Sequence, residues 1–348
     1  MKGLLKYISP FAPDQSGATS VLYDLGGITV ICDAGGCTGN ICGFDEPRWF
    51  VRKSALFSAG LRDMDAILGR DDRLIEKLKD TAQKVDANFA AIIGTPVPAV
   101  IATDFRALKR MAEKRCGLPV ITVECTGTRL YDEGEEDTYL ELFDKFTEDD
   151  AKIEEKAIGV IGTTPLNLSS VFADKKIRKF YQEQGYERVY CYGMGDGLDS
   201  IKKAGSVEKN VVIAPSGLAV AKKLQKRFGT PYEVAYPLLT DDMKEQLHQL
   251  VGKKVLVIHH QVAANEIRQE ILSAGDANVI CGTWFMKKPE LANSGDVRFK
   301  TEEKFVEYVE REQFDVIIGD SLLKRALREY EGEYIPLAHF AVSGECEQ

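Results

Sequence analysis

Several motifs that would point to familiar enzymes are missing from this chain of 348 residues. It contains no GxxxxGK[ST] sequence, so we expect that it binds no ATP through a P-loop of its own. The HExxH motif of zinc metalloproteases and the GxSxG motif of serine hydrolases are also absent. No apolar run approaches the ~20 residues of a membrane-spanning helix, and the first residues lack the apolar segment of a secretory signal. We therefore expect a cytoplasmic protein with no membrane partner.

Positive charge and histidine are both scarce. The 45 Lys and Arg residues are outnumbered by 54 Asp and Glu residues, for a net charge of −9. This balance argues against nucleic acid as a partner. Only four histidines occur, and two of them, His259 and His260, end a predicted strand. Because neighbouring strand residues face opposite sides, this pair is not expected to chelate one ion. The pair has either a structural or surface role or a role in a pocket, and His260 is a candidate catalytic residue.

Short apolar runs alternate with amphipathic helical stretches along almost the whole chain. This alternation predicts an α/β protein built from three Rossmann-like domains with parallel sheets. The predicted strands are Ile28–Cys32, Phe89–Gly94, Val120–Cys125, Ile158–Gly162, Val189–Gly193, Val211–Ala214, Val255–His259, Asn278–Gly282 and Val316–Gly319. The predicted helices cover residues 71–83, 104–115, 172–184, 216–227, 261–274 and 301–312, with Ser216 as a cap and Gly229 as a stop.

Two polar segments suggest the domain boundaries. The acidic run Asp132–Asp137 and the charged stretch up to residue 156 precede one strand, and the polar segment 237–254 precedes another. We expect the acidic run itself to be a solvated approach to a helix. The predicted domains are residues 1–155, with a cluster site and a dimer interface, residues 156–250, and residues 251–348 with a tail.

Three of the eight cysteines lie close together, within residues 32–42. A strand is expected to end at Cys32, and the glycines that follow predict a turn that presents Cys37 near a helix start, where a thiolate is stabilised. Cys32 and Cys42 are either further metal ligands or small core residues. Zinc is a weak alternative, because the spacing is not a standard zinc pattern. Small residues that leave room for a bulky inorganic ligand are Gly35, Gly36 and Thr38.

Six segments, in order, resemble the nitrogenase component 1 family. Ala34–Cys37 looks like the family's G-P-x-G-C turn, and Pro119–Gly127 is similar to its P-V-I-x-V-x-C-E-G segment. The others are residues 66–74, Gly94–Phe105, Ala157–Gly162 and Lys226–Tyr232. The resemblance implies an iron–sulfur cluster at a subunit interface, held by Cys37 with Cys32 or Cys42.

The chain also departs from the family pattern. Where the family has its other two interface cysteines, this chain has Pro13 and Thr95-Pro96. A [4Fe–4S] cluster shared across a homodimer, or with a sister subunit, is therefore expected rather than a larger one, with Thr95 beside it. The family's cysteine for the active-site cofactor is replaced by Pro215-Ser216-Gly217, so the iron–molybdenum cofactor is not expected and Ser216 becomes a cofactor-binding candidate.

Three functions remain open. The first is the catalytic component of a two-component reductase, with a nitrogenase iron protein-like ATPase as electron donor and a small-molecule substrate in the cleft between the domains. The second is a non-catalytic metal-cluster scaffold, and the third is a cluster-free ligand-binding protein. Candidate proton donors are Asp45, Glu46 and Asp104, although Asp45–Arg48 could simply form a local ion pair. Candidate pocket residues are Thr163, Thr164, Asn167, Met194, Asp196, Ser216, His260, Gln261, Trp284 and Asp320.

Overall fold

The strands form three separate sheets, and every strand pairing in them is parallel. The computed structural model describes residues 5–149 and 152–347, so the first four residues, on which the signal-peptide expectation rests, lie outside the described chain. The strands are β1 (Ile28–Ile31), β2 (Leu56–Ser58), β3 (Ala90–Ile93), β4 (Val120–Val123), β5 (Glu154–Ile161), β6 (Arg188–Tyr192), β7 (Val207–Val212), β8 (Tyr232–Val234), β9 (Lys254–Ile258), β10 (Asn278–Thr283), β11 (Val297–Arg298), β12 (Val316–Gly319) and β13 (Glu333–Pro336).

The strand orders are β2-β1-β3-β4, β6-β5-β7-β8 and β11-β10-β9-β12-β13. The predicted α/β class with three parallel units is confirmed, and each of the nine predicted strands is present. The four strands that sequence reasoning missed, β2, β8, β11 and β13, all lie at a sheet edge. Edge strands are short and half exposed, so they lack the continuous apolar run that marks a buried parallel strand. The limits of the three domains stay a prediction.

Helices cover the sheets. They are α1 (Asp14–Leu22), α2 (Gly36–Asn40), α3 (Asp63–Leu68), α4 (Asp71–Ala82), α5 (Pro96–Val100), α6 (Phe105–Cys116), α7 (Tyr131–Phe146), α8 (Pro165–Leu168), α9 (Ala173–Glu183), α10 (Leu198–Lys202), α11 (Leu218–Phe228), α12 (Asp241–His248), α13 (Gln261–Ala274), α14 (Glu302–Glu312), α15 (Ser321–Lys324) and α16 (Phe340–Ser343). Within the described part of the chain, none of them combines the length and the apolar character needed to cross a membrane.

Helix α11 confirms one of its predicted ends and not the other. It stops at Gly229, whose φ of +78° is left-handed and whose N–H bonds to the carbonyl of Gln225. The predicted cap is wrong: Ser216 lies in a 3₁₀ turn before the helix, and its hydroxyl donates to a carboxylate oxygen of Glu135 instead.

The acidic run 132–137 is not a solvated approach, as the sequence predicted, but the start of α7, a largely buried helix. Tyr131, Glu135, Tyr139 and Leu142 recur at three- and four-residue spacing, and each is fully buried. Asp132 is only 3% exposed. The acidic composition hid this helical period, so a helix that separates the first sheet from the second was missed.

Helices α1 and α7 cross with their backbones in contact. A Cβ atom placed on Gly134 would lie 1.9 Å from the carbonyl oxygen of Asp14, and one on Gly17 would lie 1.9 Å from that of Tyr131. Each helix therefore has a glycine where the other helix approaches. Since all nine residues of α1 are buried, neither helix can shift outward without opening the core.

We expect Gly134→Ala to destabilise the protein by about 3 kcal/mol, because the new methyl group overlaps the α1 backbone. Helix propensity alone would give the opposite sign, a gain of about 1 kcal/mol. Urea unfolding followed by circular dichroism measures the difference. Gly39→Ala, in α2 with nothing within 4 Å of its Cβ, is the matched control and should be neutral or stabilising. Equal stabilities of the two variants would contradict the backbone contact.

Candidate functional site

The cysteine-bearing turn after β1, residues 32–42, is held in place by Asp33. The carboxylate of Asp33 accepts hydrogen bonds from the Thr38 N–H at 2.8 Å, from the Thr38 hydroxyl at 3.0 Å and from the Ser58 hydroxyl at 2.6 Å. Gly35 has a φ of +118°, which only glycine adopts without strain, and α2 begins directly after it. The predicted turn at a strand end is therefore present.

Cys37 is the second residue of α2 and is half-buried. Thr95, two residues after β3, donates its hydroxyl to the carbonyl of Cys32 at 2.8 Å and lies beside the Cys37 thiol. Burial, and then the Asp33 carboxylate, raise the pKa of Cys37, and the Thr95 hydrogen bond only partly offsets them. Stabilisation of a Cys37 thiolate by the helix start stays a prediction, since burial and the Asp33 carboxylate act against it in the free thiol.

The other two predicted metal ligands differ in position. Cys32 is 2% exposed and packs in the core layer of Val30 and Ile92, where burial raises its pKa to about 12. Cys37 and Cys42 are half-buried and both pack against the other layer of the same sheet. Among the described residues, no three His, Cys, Asp or Glu side chains lie close enough to hold a metal ion.

Asp45 and Glu46 follow the turn and have separate roles. One oxygen of Asp45, Oδ2, accepts hydrogen bonds from the Ser16 hydroxyl at 2.7 Å and from the Asn40 amide at 2.8 Å. Burial raises the pKa of Asp45. The alternative of a local ion pair is confirmed only for Glu46, which binds Arg48 through both carboxylate oxygens at 2.7 Å.

Arg48 is a fully buried cation that sequence reasoning did not single out as a connecting residue. Besides Glu46, its guanidinium donates to Asp24 at 3.0 Å, to the carbonyl of Gly193 at 2.8 Å and to the carbonyl of Ser20 at 2.6 Å. Gly193 directly follows β6 of the second sheet. Arg48 therefore ties the segment after the cysteines to α1 and to the middle unit.

A second polar centre surrounds Glu135 of α7, which is fully buried. Its carboxylate accepts hydrogen bonds from Thr164 at 2.6 Å, Ser216 at 2.7 Å and the Asn167 amide at 2.8 Å. Burial raises the pKa of Glu135 to about 8, against the lowering effect of these three donors. Ser216, a predicted cofactor ligand, is thus committed to Glu135 inside the protein.

Three of the four histidines lie beside this centre. The rings of His259 and His339 stack with centroids 4.1 Å apart, and His260 lies 4.6 Å from His259. The Tyr131 hydroxyl is 2.9 Å from Nε2 of His339. The expected separation of His259 and His260 is wrong, because both follow the end of β9, where strand alternation no longer applies. Burial lowers the pKa of His259 to about 4 and that of His260 well below its usual value, so His260 is uncharged at neutral pH.

The predicted site residues thus fall into three places. Gly35, Gly36, Cys37, Thr38 and Thr95 come together at the turn, and Asp45 lies just beyond it. Asp104 is exposed and caps α6 by accepting from the Ala107 N–H at 2.9 Å. Most of the predicted pocket residues are interior rather than pocket-lining, at 5% exposure or less: Thr163, Thr164, Asn167, Met194, Ser216, His260, Gln261, Trp284 and Asp320. A cavity of about 730 Å³ lies instead beside Gly43–Asp45 and α16.

Glu135→Gln should remove a pH-dependent contribution to stability. Because the pKa of Glu135 is raised in the folded state, the stability it contributes is present below its unfolded pKa of about 4.5 and is lost as the pH rises through about 8. The glutamine variant cannot lose a proton and therefore does not lose this contribution. The free energy of unfolding of the variant minus that of the wild type should be larger at pH 9 than at pH 5, by at least about 1 kcal/mol.

Urea unfolding at pH 5, 7 and 9 measures this difference. Glu133→Gln changes a half-buried carboxylate of the same helix and serves as the control, with a pH profile parallel to that of the wild type. A Glu135→Gln profile that also runs parallel to the wild type would mean that Glu135 is ionised in the folded protein at neutral pH.

Comparison with known proteins agrees with this architecture. The chain is 26% identical over 202 residues to the nitrogenase iron-molybdenum cofactor biosynthesis protein NifE of Bradyrhizobium diazoefficiens, covering 56% of this chain and 36% of that protein. It is 26% identical over 182 residues to the protein of the same name from Clostridium pasteurianum, covering 51% and 38%. The match thus spans little more than a third of each curated relative.

Solved structures show the same fold. The structure titled nitrogenase Cp1 at pH 6.5 superposes with a TM-score of 0.73 over 97% of this chain and 87% of that chain, at 12% identity. The structure at pH 5 gives a TM-score of 0.71. The family model described as nitrogenase component 1 type oxidoreductase matches residues 16–274. The chain therefore belongs to the nitrogenase component 1 type oxidoreductase family.

Proposed function

We propose that this chain is the electron-accepting component of a two-component reductase. Its cluster, a [4Fe–4S] centre, would lie between two chains, with Cys37 of each as a ligand. Cys42 is the better second ligand, because it packs on the same side of the first sheet as Cys37, whereas Cys32 lies in the opposite core layer. A cluster in this position supplies one-electron chemistry, and the resemblance implies a separate iron–sulfur ATPase as the donor of those electrons.

The observation that carries the proposal is an exposed apolar rim on both sides of the Cys37 turn. The rim consists of Met64, Ile67 and Leu68 after β2, and Val97, Val100 and Ile101 after β3. Ile67 is 74% exposed and Val100 is 84% exposed. These two strands flank β1 in the sheet, so their loops flank the turn that follows β1. An apolar surface around a half-buried cysteine supports burial against a second chain.

Residues of this chain would then hold the turn and supply protons. Asp33 and Thr95 fix the position of Cys37, as described above. Asp45 is the best of the candidates for passing protons, because burial raises its pKa, whereas Glu46 binds Arg48 and Asp104 serves as a helix cap. His260, being neutral and interior, is assigned a positioning role in the interior rather than a catalytic one.

A metal-cluster scaffold is the second candidate, and the curated relatives favour it. Both are named as cofactor biosynthesis proteins rather than as nitrogenases. A scaffold would release its cluster to an acceptor protein, whereas a reductase would keep its cluster through cycles of reduction and oxidation. Loss or retention of iron after incubation with a chelating acceptor therefore distinguishes the two.

Protein prepared without oxygen should contain about two iron atoms per chain, as expected for one four-iron cluster shared by two chains. Cys37→Ser should lose this iron, and Cys42→Ser should lower it. Iron and sulfide analysis, together with the electron paramagnetic resonance signal of the reduced protein, measures the content. Cys116→Ser, a half-buried cysteine at the end of α6, is the control and should keep the iron. Iron-free wild-type protein would exclude both cluster functions.

The double variant Ile67→Glu, Val100→Glu should weaken association of two chains at least tenfold, because it places four carboxylates in the apolar interface of a dimer. Sedimentation velocity over a concentration series measures the dissociation constant. Ile153→Glu changes an apolar residue that is 75% exposed before β5, and should leave association unchanged. A monomeric wild type would rule out the homodimer and leave a sister chain as the partner.

A further inference from the structure

A cleft lies where distant parts of the chain meet, and none of the roles assigned above depends on it being filled. We name it the junction cleft. Its walls come from residues 9–12, 43–51, 171–172 and 340–346, and its volume is about 730 Å³. Sites for small organic molecules fall in the range of ~300–1,000 Å³. The cleft is therefore large enough for a ligand of several rings.

Four phenyl rings line the junction cleft, whose surface is apolar and polar in similar measure. Phe44 and Phe50 line it and are 74% and 72% exposed, although aromatic side chains of this size gain most from burial. Phe172, Phe340 and Val342 complete the apolar surface. A flat apolar molecule would cover the two exposed rings, which nothing else in the described chain covers.

Among the described residues, Asp45 is the one charged side chain that lines the cleft, and no Lys, Arg or His side chain does. Both hydrogen bonds to Asp45, from Ser16 and Asn40, go to Oδ2, so Oδ1 has no side-chain donor within the described residues. The nearby Arg48 is committed to Glu46 and Asp24 and is fully buried. The cleft therefore matches a positively charged ligand group and disfavours a negatively charged one.

We propose that the junction cleft binds an aromatic amine, with its rings between Phe44 and Phe50 and its protonated nitrogen on Oδ1 of Asp45. The phenyl faces add attraction for the same cation. Since Gly43 directly follows Cys42, the ligand would lie beside the cysteine-bearing turn. Binding requires no iron, so the inference stands or falls separately from the proposed reductase function.

Three probes of one shape test the charge preference: 2-naphthylmethylamine, 2-naphthalenemethanol and 2-naphthoate. Isothermal titration calorimetry of the full chain at pH 7 and moderate salt should show the amine binding at least tenfold more tightly than the naphthoate, with the neutral alcohol between them. Equal affinities for the amine and the naphthoate, or no binding of the amine at millimolar concentration, would overturn the proposal.

Variants then place the site. Asp45→Asn keeps the shape of the side chain and should lower amine affinity about tenfold while leaving the alcohol unchanged. Phe50→Ala should weaken both probes, and because Phe50 is mostly exposed, this variant is expected to fold even if Asp45→Asn does not. Phe57→Ala, an exposed phenyl outside the cleft, is the control. Equal loss in Phe57→Ala, or full amine affinity in both cleft variants, would contradict the assignment.

Discussion

The buried guanidinium of Arg48 is the interaction on which the arrangement of the first half of the chain depends. A cation without water must be compensated, and loss of one partner of such a pair costs about 3–5 kcal/mol. Arg48 meets this demand with two carboxylates, Glu46 and Asp24, and with carbonyls of α1 and of Gly193. The segment after the cysteines, α1 and the loop after β6 therefore have one arrangement in which every donor of the guanidinium is satisfied.

The protein contains two polar centres that differ in their exposure to solvent. The cysteine-bearing turn lies at the carboxyl edge of the first sheet, where half-buried thiols are surrounded by exposed apolar loops. The Glu135 centre lies inside the protein, where its carboxylate, hydroxyls and imidazoles bind one another. The first centre is open to a partner chain or an inorganic ligand, and the second connects α7 to the middle unit and, through Tyr131 and His339, to the third. The two centres therefore differ in solvent exposure more than in composition. The exposed one is available for chemistry at the surface, and the buried one stabilises the contacts between the units.

Sequence reasoning succeeded where the signal is local and repeated. Nine buried strands were found from their apolar runs, and the edge strands, such as Tyr232–Val234 with three half-buried residues, were missed because they have no such run. Helix α7 was missed because acidic residues are ordinarily solvated. Asp132 and Glu135 are buried nonetheless, since the N–H of Met286 and the donors around Glu135 replace water.

The sequence by itself determined the order of the nine buried strands and the position of Cys37 at a glycine turn after a strand, because these depend on residues close together in the chain. Only the tertiary structure decided that Cys32 and Cys37 lie in different layers, that Ser216 binds Glu135, and that His259 stacks on His339. These contacts join residues far apart, such as Arg48 and Gly193, which are 145 positions apart, or Tyr131 and His339, which are 208 apart. No local pattern specifies such pairs, since they form only when the packing of three sheets removes both partners from water.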